Sequence, residues 1–406
     1  MTYKIEKFFS KELPTPAKNY AGLVKHNFVG GHNSEENIPI NKLAESAARV
    51  INEEGRNLAL YGHNSGPQGN LSLREFLVTY LNDYVGMNVT KDNILLTSGS
   101  LQALDLINKL LLNKGDTVLI EEATYGGAIS RIKSLGVKHV GIKLDDEGIC
   151  IDNLIEILED LKSKNIFPKF LYTIPTVQNP TATIMPNSRR KKLLELANEY
   201  NFIIFEDDCY ADLTWDRKRP NALFAMSEND RVIYCGSFSK SIAPALRVGY
   251  IVGSWEVISQ ILSFKNDGGS GAIEQMMLAD FCKNYFKEHA SQLVKDLRSK
   301  CDTMIEALEI EFGSIAEYDY PKGGIFLWVT FPESINTNKL YEIALEHNIT
   351  LNPGSEWVSN PNDGVHKLRL CFAHPNKKVI REGVRKLAQI CFEEFGIPKI
   401  RANKKR

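Results

Sequence analysis

Residues 93–112 read NILLTSGSLQALDLINKLLL, and two hydrophobic periods meet inside them. Residues 93–97 form a short apolar run, the mark of a buried strand. From Ser100 to Leu112 apolar residues recur three and four apart, which is a helix with one buried face. The small residues Ser98-Gly99-Ser100 join the two. The alternation continues along the chain. Residues 117–120 (TVLI) read as a strand, followed by a helix near 126–135. A strand at 140–144 precedes a helix at 152–161, with Asp152 as its N-cap. Strands at 170–174 and 202–205 flank a helix at 188–200, and shorter strands follow at 232–235 and 250–252. Strands alternating with helices predict an α/β fold whose large, mostly parallel sheet is flanked by helices.

The pattern changes after about residue 285. A long amphipathic helix is expected over much of 288–312. Residues 324–331 (GIFLWVTF) and 367–372 (KLRLCF) then read as strands, and 376–395 as a closing helix, together a smaller α+β unit. The first 50 residues do not alternate like the sheet region and are expected to pack with the C-terminal unit and the site. The organisation expected is an N-terminal segment (1–50), a large domain (51–287) and a small C-terminal domain (288–406). The basic tail, 400–406, reads as a solvated end.

Composition narrows the chemistry. The 406 residues are 43% hydrophobic and 24% charged, ordinary for a globular protein. Lys plus Arg is 49 against 50 for Asp plus Glu, so there is no basic footprint for nucleic acid or an anionic membrane. No apolar run approaches the ~18–20 residues of a membrane span, and the charged stretch MTYKIEKFFSKELPTPAK is unlike a secretory signal. Seven cysteines lack a C-x-x-C pair and read as buried thiols of a cytoplasmic protein. Eight histidines show no metal-binding spacing, so no metal is expected.

Parallel α/β sheets bind ligands beyond the C-terminal ends of their strands. Past residue 97 lies Ser98-Gly99-Ser100-Leu101, whose N–H groups at a helix start suit an anion such as phosphate; a plain serine cap is the alternative. Past 205 lie Glu206, Asp207 and Asp208. Three acids at a strand end cannot all be buried unpaired, so they are solvated, hold a metal, or one of them faces a cation the protein does not supply. Past 235 lies Ser237-Phe238-Ser239-Lys240, then Arg247. A lysine in such surroundings can lose its proton and act as nucleophile or base; an exposed lysine is the plain alternative.

Taken in order, these residues resemble the fold-type I pyridoxal-phosphate aminotransferases of class I/II. The resemblance is strongest to the branch of 2-aminoadipate and kynurenine aminotransferases and the enzyme domains of GntR-type regulators. It runs from about residue 20 to 395. The motifs are Tyr61 with Gly66-Pro67-Gln68-Gly69 and Leu73-Arg74-Glu75, then SGSLQ, ATYGG, QNPT, EDDCY, SFSK with Arg247 and Gly249, and KLRLCF. Asn179 precedes Asp207 by 28 residues, Lys240 lies 33 further on, and Arg247 another 7.

The resemblance implies pyridoxal 5′-phosphate as cofactor, amino acid and 2-oxo acid substrates, and ping-pong transamination. Lys240 would bind the cofactor aldehyde covalently and move the Cα proton, its own pKa depressed by burial and by cations including Arg247. Asp207 would pair with the pyridine nitrogen, Asn179 and Tyr210 would bind the ring hydroxyl, and Tyr125 would stack on the ring. Ser100, Leu101, Ser237, Ser239 and Arg247 would hold the phosphate. Tyr61 would reach it from a second subunit, making a homodimer with shared sites. Arg369 would bind the substrate α-carboxylate beside Asn179, and Gly30 and Gly31 would line the substrate pocket on a mobile segment. His32, Asn33 and the polar run around Asp267 point to a polar substrate side chain. The sequence departs from the family pattern at Ala182, where glycine is common, in the longer stretch 61–69, and at Cys209 in place of proline. Two other readings stay open: a lyase, decarboxylase or oxidase using the same site, and a ligand-sensing domain without turnover.

Overall fold

The computed structural model describes residues 4–10, 13, 16, 17, 19, 22–62 and 65–398; the basic tail at 400–406 lies outside them. Seven strands form the main sheet: β1 (Ile94–Thr97), β2 (Thr117–Glu121), β3 (Lys138–Ile142), β4 (Phe170–Thr173), β5 (Ile203–Asp207), β6 (Val232–Ser237) and β7 (Gly249–Val252). Their order is β1-β7-β6-β5-β4-β2-β3. Only β7 runs antiparallel, against both β1 and β6. Strands β1, β2, β4 and β6 are buried along their whole length, which accounts for their continuous rather than alternating apolar runs.

Helices α1 (Ile40–Glu54), α2 (Leu71–Val85), α3 (Ser100–Leu111), α4 (Gly126–Ser134), α5 (Ile151–Ser163) and α6 (Asn187–Glu199) lie in the first half of the chain. Asn70 caps α2, its Oδ1 accepting from Leu73 N at 2.9 Å, and Gly86 closes it in the left-handed region. Asp152 is not the cap of α5. That position belongs to Cys150, and Asp152 sits in the first turn, where its charge still favours the helix dipole.

The long helix starts sixteen residues before the expected 288 and runs as α7 (Ala272–Glu311) for 40 residues. It therefore passes through the boundary expected at 287/288. Its first half, with Met276, Leu278, Phe281 and Phe286, packs into the core shared with Leu77, Tyr234 and Tyr250. Its second half, with Leu297, Cys301, Met304 and Leu308, packs into a core that the C-terminal unit shares with the main sheet. That unit holds a three-stranded antiparallel sheet of β8 (Phe326–Thr330), β9 (Asn352–Pro353) and β10 (Lys367–Cys371), in the order β8-β10-β9. Helix α8 (Lys377–Phe395) covers it, capped by Asn376. The N-terminal segment joins this unit: residues 26–27 pair in parallel with 349–350, Cys371 N donates to Phe28 O at 2.9 Å, and Gly383 lets Phe28 approach α8, since a Cβ there would lie 2.5 Å from the ring.

Because β7 is antiparallel, its start lies at the same sheet edge as the ends of β1, β4, β5 and β6. Residues 98–101 and 237–240, with Asn179, Asp207, Tyr210 and Arg247, fall at or just beyond that edge, while Arg369 comes from β10 of the C-terminal unit.

Candidate active site

The cup at one end of the site is built by close backbone approach. Helix α3 begins at Ser100, so the N–H groups of Ser100 and Leu101 lie in its first turn, where no intrahelical carbonyl reaches them. Gly249, opposite Thr97 and Ser237 in the sheet, leaves room for this turn; a Cβ there would lie 2.8 Å from Gly99 C and Ser100 N. Arg247 rests on Gly99, where any Cβ would collide with its guanidinium, and donates to Ser98 O at 3.1 Å. Ser237 Oγ accepts from Ser239 N at 3.1 Å. N–H groups, hydroxyls and an arginine thus converge, the donor set that binds a phosphate dianion.

At the end of β5, Asp207 Oδ2 accepts from Tyr172 OH at 2.7 Å, while Oδ1 is buried with no hydrogen-bond partner. Burial raises its pKa. Cys209 lies beside this carboxylate and favours its charged form, as Tyr172 does; a protonated ring nitrogen would add a stronger, charged donor. Nearby, Asn179 Nδ2 donates to Tyr210 OH at 3.2 Å. Tyr125 precedes α4, and Gly127 is required by it: a Cβ there would lie 2.5 Å from Tyr125 Cζ. Phosphate cup, orphaned carboxylate oxygen, ring-hydroxyl donors and lysine together fit a phosphorylated pyridine aldehyde.

Lys240 Nζ donates to Gly31 O at 2.6 Å and lies 6.0 Å from the Tyr210 ring centroid. Burial holds its pKa below the ordinary lysine value, and the cation that adds to this is Arg369, while Arg247 is turned to Ser98. Arg369 is sandwiched between Trp357 and Phe326, its Cζ 3.5 and 3.7 Å from their ring centroids. It donates to Asn179 Oδ1 and Val29 O, both at 3.1 Å, leaving Nε buried and unpartnered. Burial lowers its pKa to about 10, so it stays charged at neutral pH.

Several residues that shape the site escaped the sequence reading. Glu121, at the end of β2, is fully buried and accepts from Thr173 Oγ1, Ile174 N and Gln178 Nε2 at 2.7, 3.0 and 2.8 Å. Gln178 in turn accepts from Thr181 N and Oγ1, both at 2.8 Å, which fixes the turn that carries Asn179. Ala182 in that turn has φ of 60°, the left-handed conformation a glycine adopts freely. An acid ending an apolar strand was the available signal for Glu121, the one that pointed to Asp207. Tyr172, Trp357 and Phe326 carried none.

One expected feature stands apart. Tyr61 is 95% exposed, beside the Gly268 backbone, and among the described residues no hydrogen bond joins it to the cup. The polar run near it is tied to the cup's rim, since Gln102 Oε1 accepts from Ser98 N at 2.7 Å and its Nε2 donates to Asp267. Among the described residues no group of three or more His, Cys, Asp or Glu could hold a metal ion, and no helix is long and apolar enough to cross a membrane.

A parallel-dominated sheet with lysine, carboxylate and phosphate cup at one edge is the arrangement of the fold-type I class. The model of aminotransferase class I and II matches residues 27–387, and the chain belongs to that family. It is an aminotransferase with the fold-type I architecture. It is 33% identical over 405 residues to aromatic-amino-acid aminotransferase 1 of Thermococcus litoralis, covering 97% of this chain and 96% of that protein. It is 34% identical over 368 residues to 2-aminoadipate transaminase of Thermus thermophilus, covering 89% of each. The structure of Pyrococcus horikoshii kynurenine aminotransferase in complex with PMP, KYN and KYA superposes with a TM-score of 0.89 at 33% identity, over 96% of this chain and 98% of that one.

Proposed function

We propose that the chain transfers an amino group from an L-amino acid to a 2-oxo acid with pyridoxal 5′-phosphate held at this site. The observation that carries the cofactor is the buried, unpartnered Oδ1 of Asp207 at the same sheet edge as the phosphate cup and Lys240. When bound, the cofactor supplies an aldehyde for the amino group and a ring that withdraws electrons.

The side chains divide the remaining work. Ser100, Leu101 N–H, Ser237, Ser239 and Arg247 hold the phosphate. Asp207 keeps the ring nitrogen protonated, Asn179 and Tyr210 hold the ring hydroxyl, and Tyr125 covers a ring face. Arg369 takes the α-carboxylate through its planar fork, with Asn179 alongside it. Lys240 leaves Gly31 O and moves the proton at the substrate Cα, a step that positioned general bases accelerate by about 10²–10⁴-fold. A Cβ at Gly31 would press on Phe326 Cζ at 3.2 Å and touch Lys240 Nζ at 3.4 Å.

The working unit in this reading is a homodimer in which Tyr61 completes the partner's phosphate site. Its exposed ring, next to the Asp267 loop at the cup's rim, supports this. The three-part division stays part of this reading, with α1 (Ile40–Glu54) and α7 (Ala272–Glu311) running through the boundaries placed at residues 50 and 287, and Leu43 and Val50 packing with the large domain rather than the C-terminal unit. A cytoplasmic setting agrees with seven free cysteines. The test is a set of single half-reactions. Holoprotein should lose its visible cofactor absorbance on adding an amino donor, release one equivalent of 2-oxo acid, and regain the absorbance with a 2-oxo acid. Protein that binds no cofactor, or releases ammonia catalytically, would contradict the reading.

A further inference from the structure

Lys240 sits in a turn just past β6. Phe238 O closes the turn, accepting from Ile242 N at 2.9 Å and Ala243 N at 3.2 Å. Among the described residues no backbone N–H reaches Lys240 O or Ser241 O. Two side chains from distant parts of the chain take these carbonyls instead. Asn33 Nδ2 donates to Lys240 O at 2.7 Å, and His289 Nε2 meets Ser241 O at 2.8 Å. A carbonyl oxygen only accepts, so that nitrogen of His289 carries the proton. The ring stands edge-on to Phe281, the centroids 5.7 Å apart, and burial holds its pKa below the ordinary histidine value.

Both grips lead back to one stripe of α7. His289, Asp296 and Lys300 are seven and four residues apart, a spacing that puts them on one helix face. Asn37 Nδ2 donates to Asp296 at 2.7 Å, and Lys300 Nζ donates to Ser34 Oγ at 2.9 Å. Helix α7 therefore anchors the segment on which Asn33 stands. That segment meets Lys240 at its other end too, since Gly31 O accepts from the amine. Asn33 is thus committed to the lysine backbone rather than to the substrate side chain that the sequence suggested.

We propose that His289 and Asn33 are positioning residues for the Lys240 amine, holding the backbone of its turn still while the side chain moves between cofactor and substrate Cα. The proposal rests on the transaminase reading. An amine carried on a drifting backbone loses its near-attack position, and a misplacement of about 1 Å slows a step by as much as ~10²-fold. The loss falls on proton transfer and not on substrate binding, because both side chains act through Lys240.

The experiment uses holoenzyme of wild type, His289→Leu, His289→Gln and Asn33→Ala in single half-reactions. The donor is the fastest of the twenty common amino acids, carrying protium or deuterium at Cα. His289→Leu and Asn33→Ala should lose about tenfold or more in maximal rate with KM little changed, and show a full primary isotope effect. His289→Gln keeps an N–H donor at similar reach and should recover most of the rate. A second readout needs no turnover: apoprotein of the two deficient variants should gain visible absorbance more slowly on adding pyridoxal phosphate, which also requires a placed amine. Should His289→Leu fail to fold, judged by circular dichroism, the shorter His289→Asn takes its place with the same expectation; failure of both makes His289 a core residue and overturns the proposal. Unchanged rates, a slowed rate with an isotope effect near one, or a His289→Gln no faster than His289→Leu would each overturn it as well. If wild type takes up the cofactor and transaminates nothing, the transaminase reading fails, and the loading rates alone then decide this proposal.

Discussion

Arg369 shows how a residue can be recognised in sequence while its setting is not. The strand KLRLCF marks it, and the resemblance assigns it a carboxylate. Nothing local foretells that Trp357 and Phe326 enclose its guanidinium, because those rings arrive from a different loop and a neighbouring strand. Stacking and a fork geometry are both lost with lysine. Arg369→Lys should therefore raise KM for every amino donor by about 10–100-fold, with the preference among donors unchanged, measured as kcat/KM across a donor panel. Lys240 carries a second prediction. Its folded pKa lies below the ordinary lysine value near 10.4. Between those two values the unfolded chain holds a proton that the folded chain does not, so stability of the apoprotein rises with pH across that window. Denaturant titrations at several pH values should show the rise in wild type and a flatter profile in Lys240→Met. Lys240, Asp207, Asn179 and Tyr210 were legible because each sits just past a strand end within a recognisable motif. Tyr172 was not, since only the pairing of β4 with β5 brings its hydroxyl to Asp207.

Elements were readable where local period and burial agree. Strands β1, β2, β4 and β5 are short apolar runs between turn residues, and they fall within a residue or two of expectation. Helix α7 began early because residues 272–287 bury their apolar face in a different core from residues 288–311, and a break in partners reads in sequence like a break in structure. The Asp152 cap failed for a smaller reason: an acid in the first turn gains from the helix dipole much as a capping acid does. At this scale the cup depends on β7 touching the start of α3. Gly249→Ala would place a methyl 2.8 Å from the Ser100 backbone nitrogen, a contact neither main chain can relieve by a rotamer change. Cofactor affinity should fall at least tenfold, about 1.4 kcal/mol, with β-sheet content retained. The check is fluorescence titration of apoprotein with pyridoxal phosphate beside a circular dichroism spectrum.

For the whole molecule, fold class was readable from the alternation of strands and helices, and catalytic class from motif order. The meeting of N- and C-terminal segments over Lys240 was only partly so, because it is made by residues more than 200 positions apart, such as Gly31 with Lys240 and Val29 with Arg369. The proposed sharing of sites between two subunits leads to a mixing experiment. Tyr61→Ala and Lys240→Ala proteins, each weakly active or inactive, should on refolding together recover roughly a quarter of wild-type activity, since each mixed dimer holds one intact site. No recovery would place Tyr61 outside its partner's site. The central claim, that the Lys240 amine carries the cofactor, has a more direct test. Holoprotein is reduced with borohydride and digested, and its peptides are weighed. The account predicts one reduced phosphopyridoxyl group per chain, on the peptide containing Lys240. The same group on any other lysine, or on none, would contradict it.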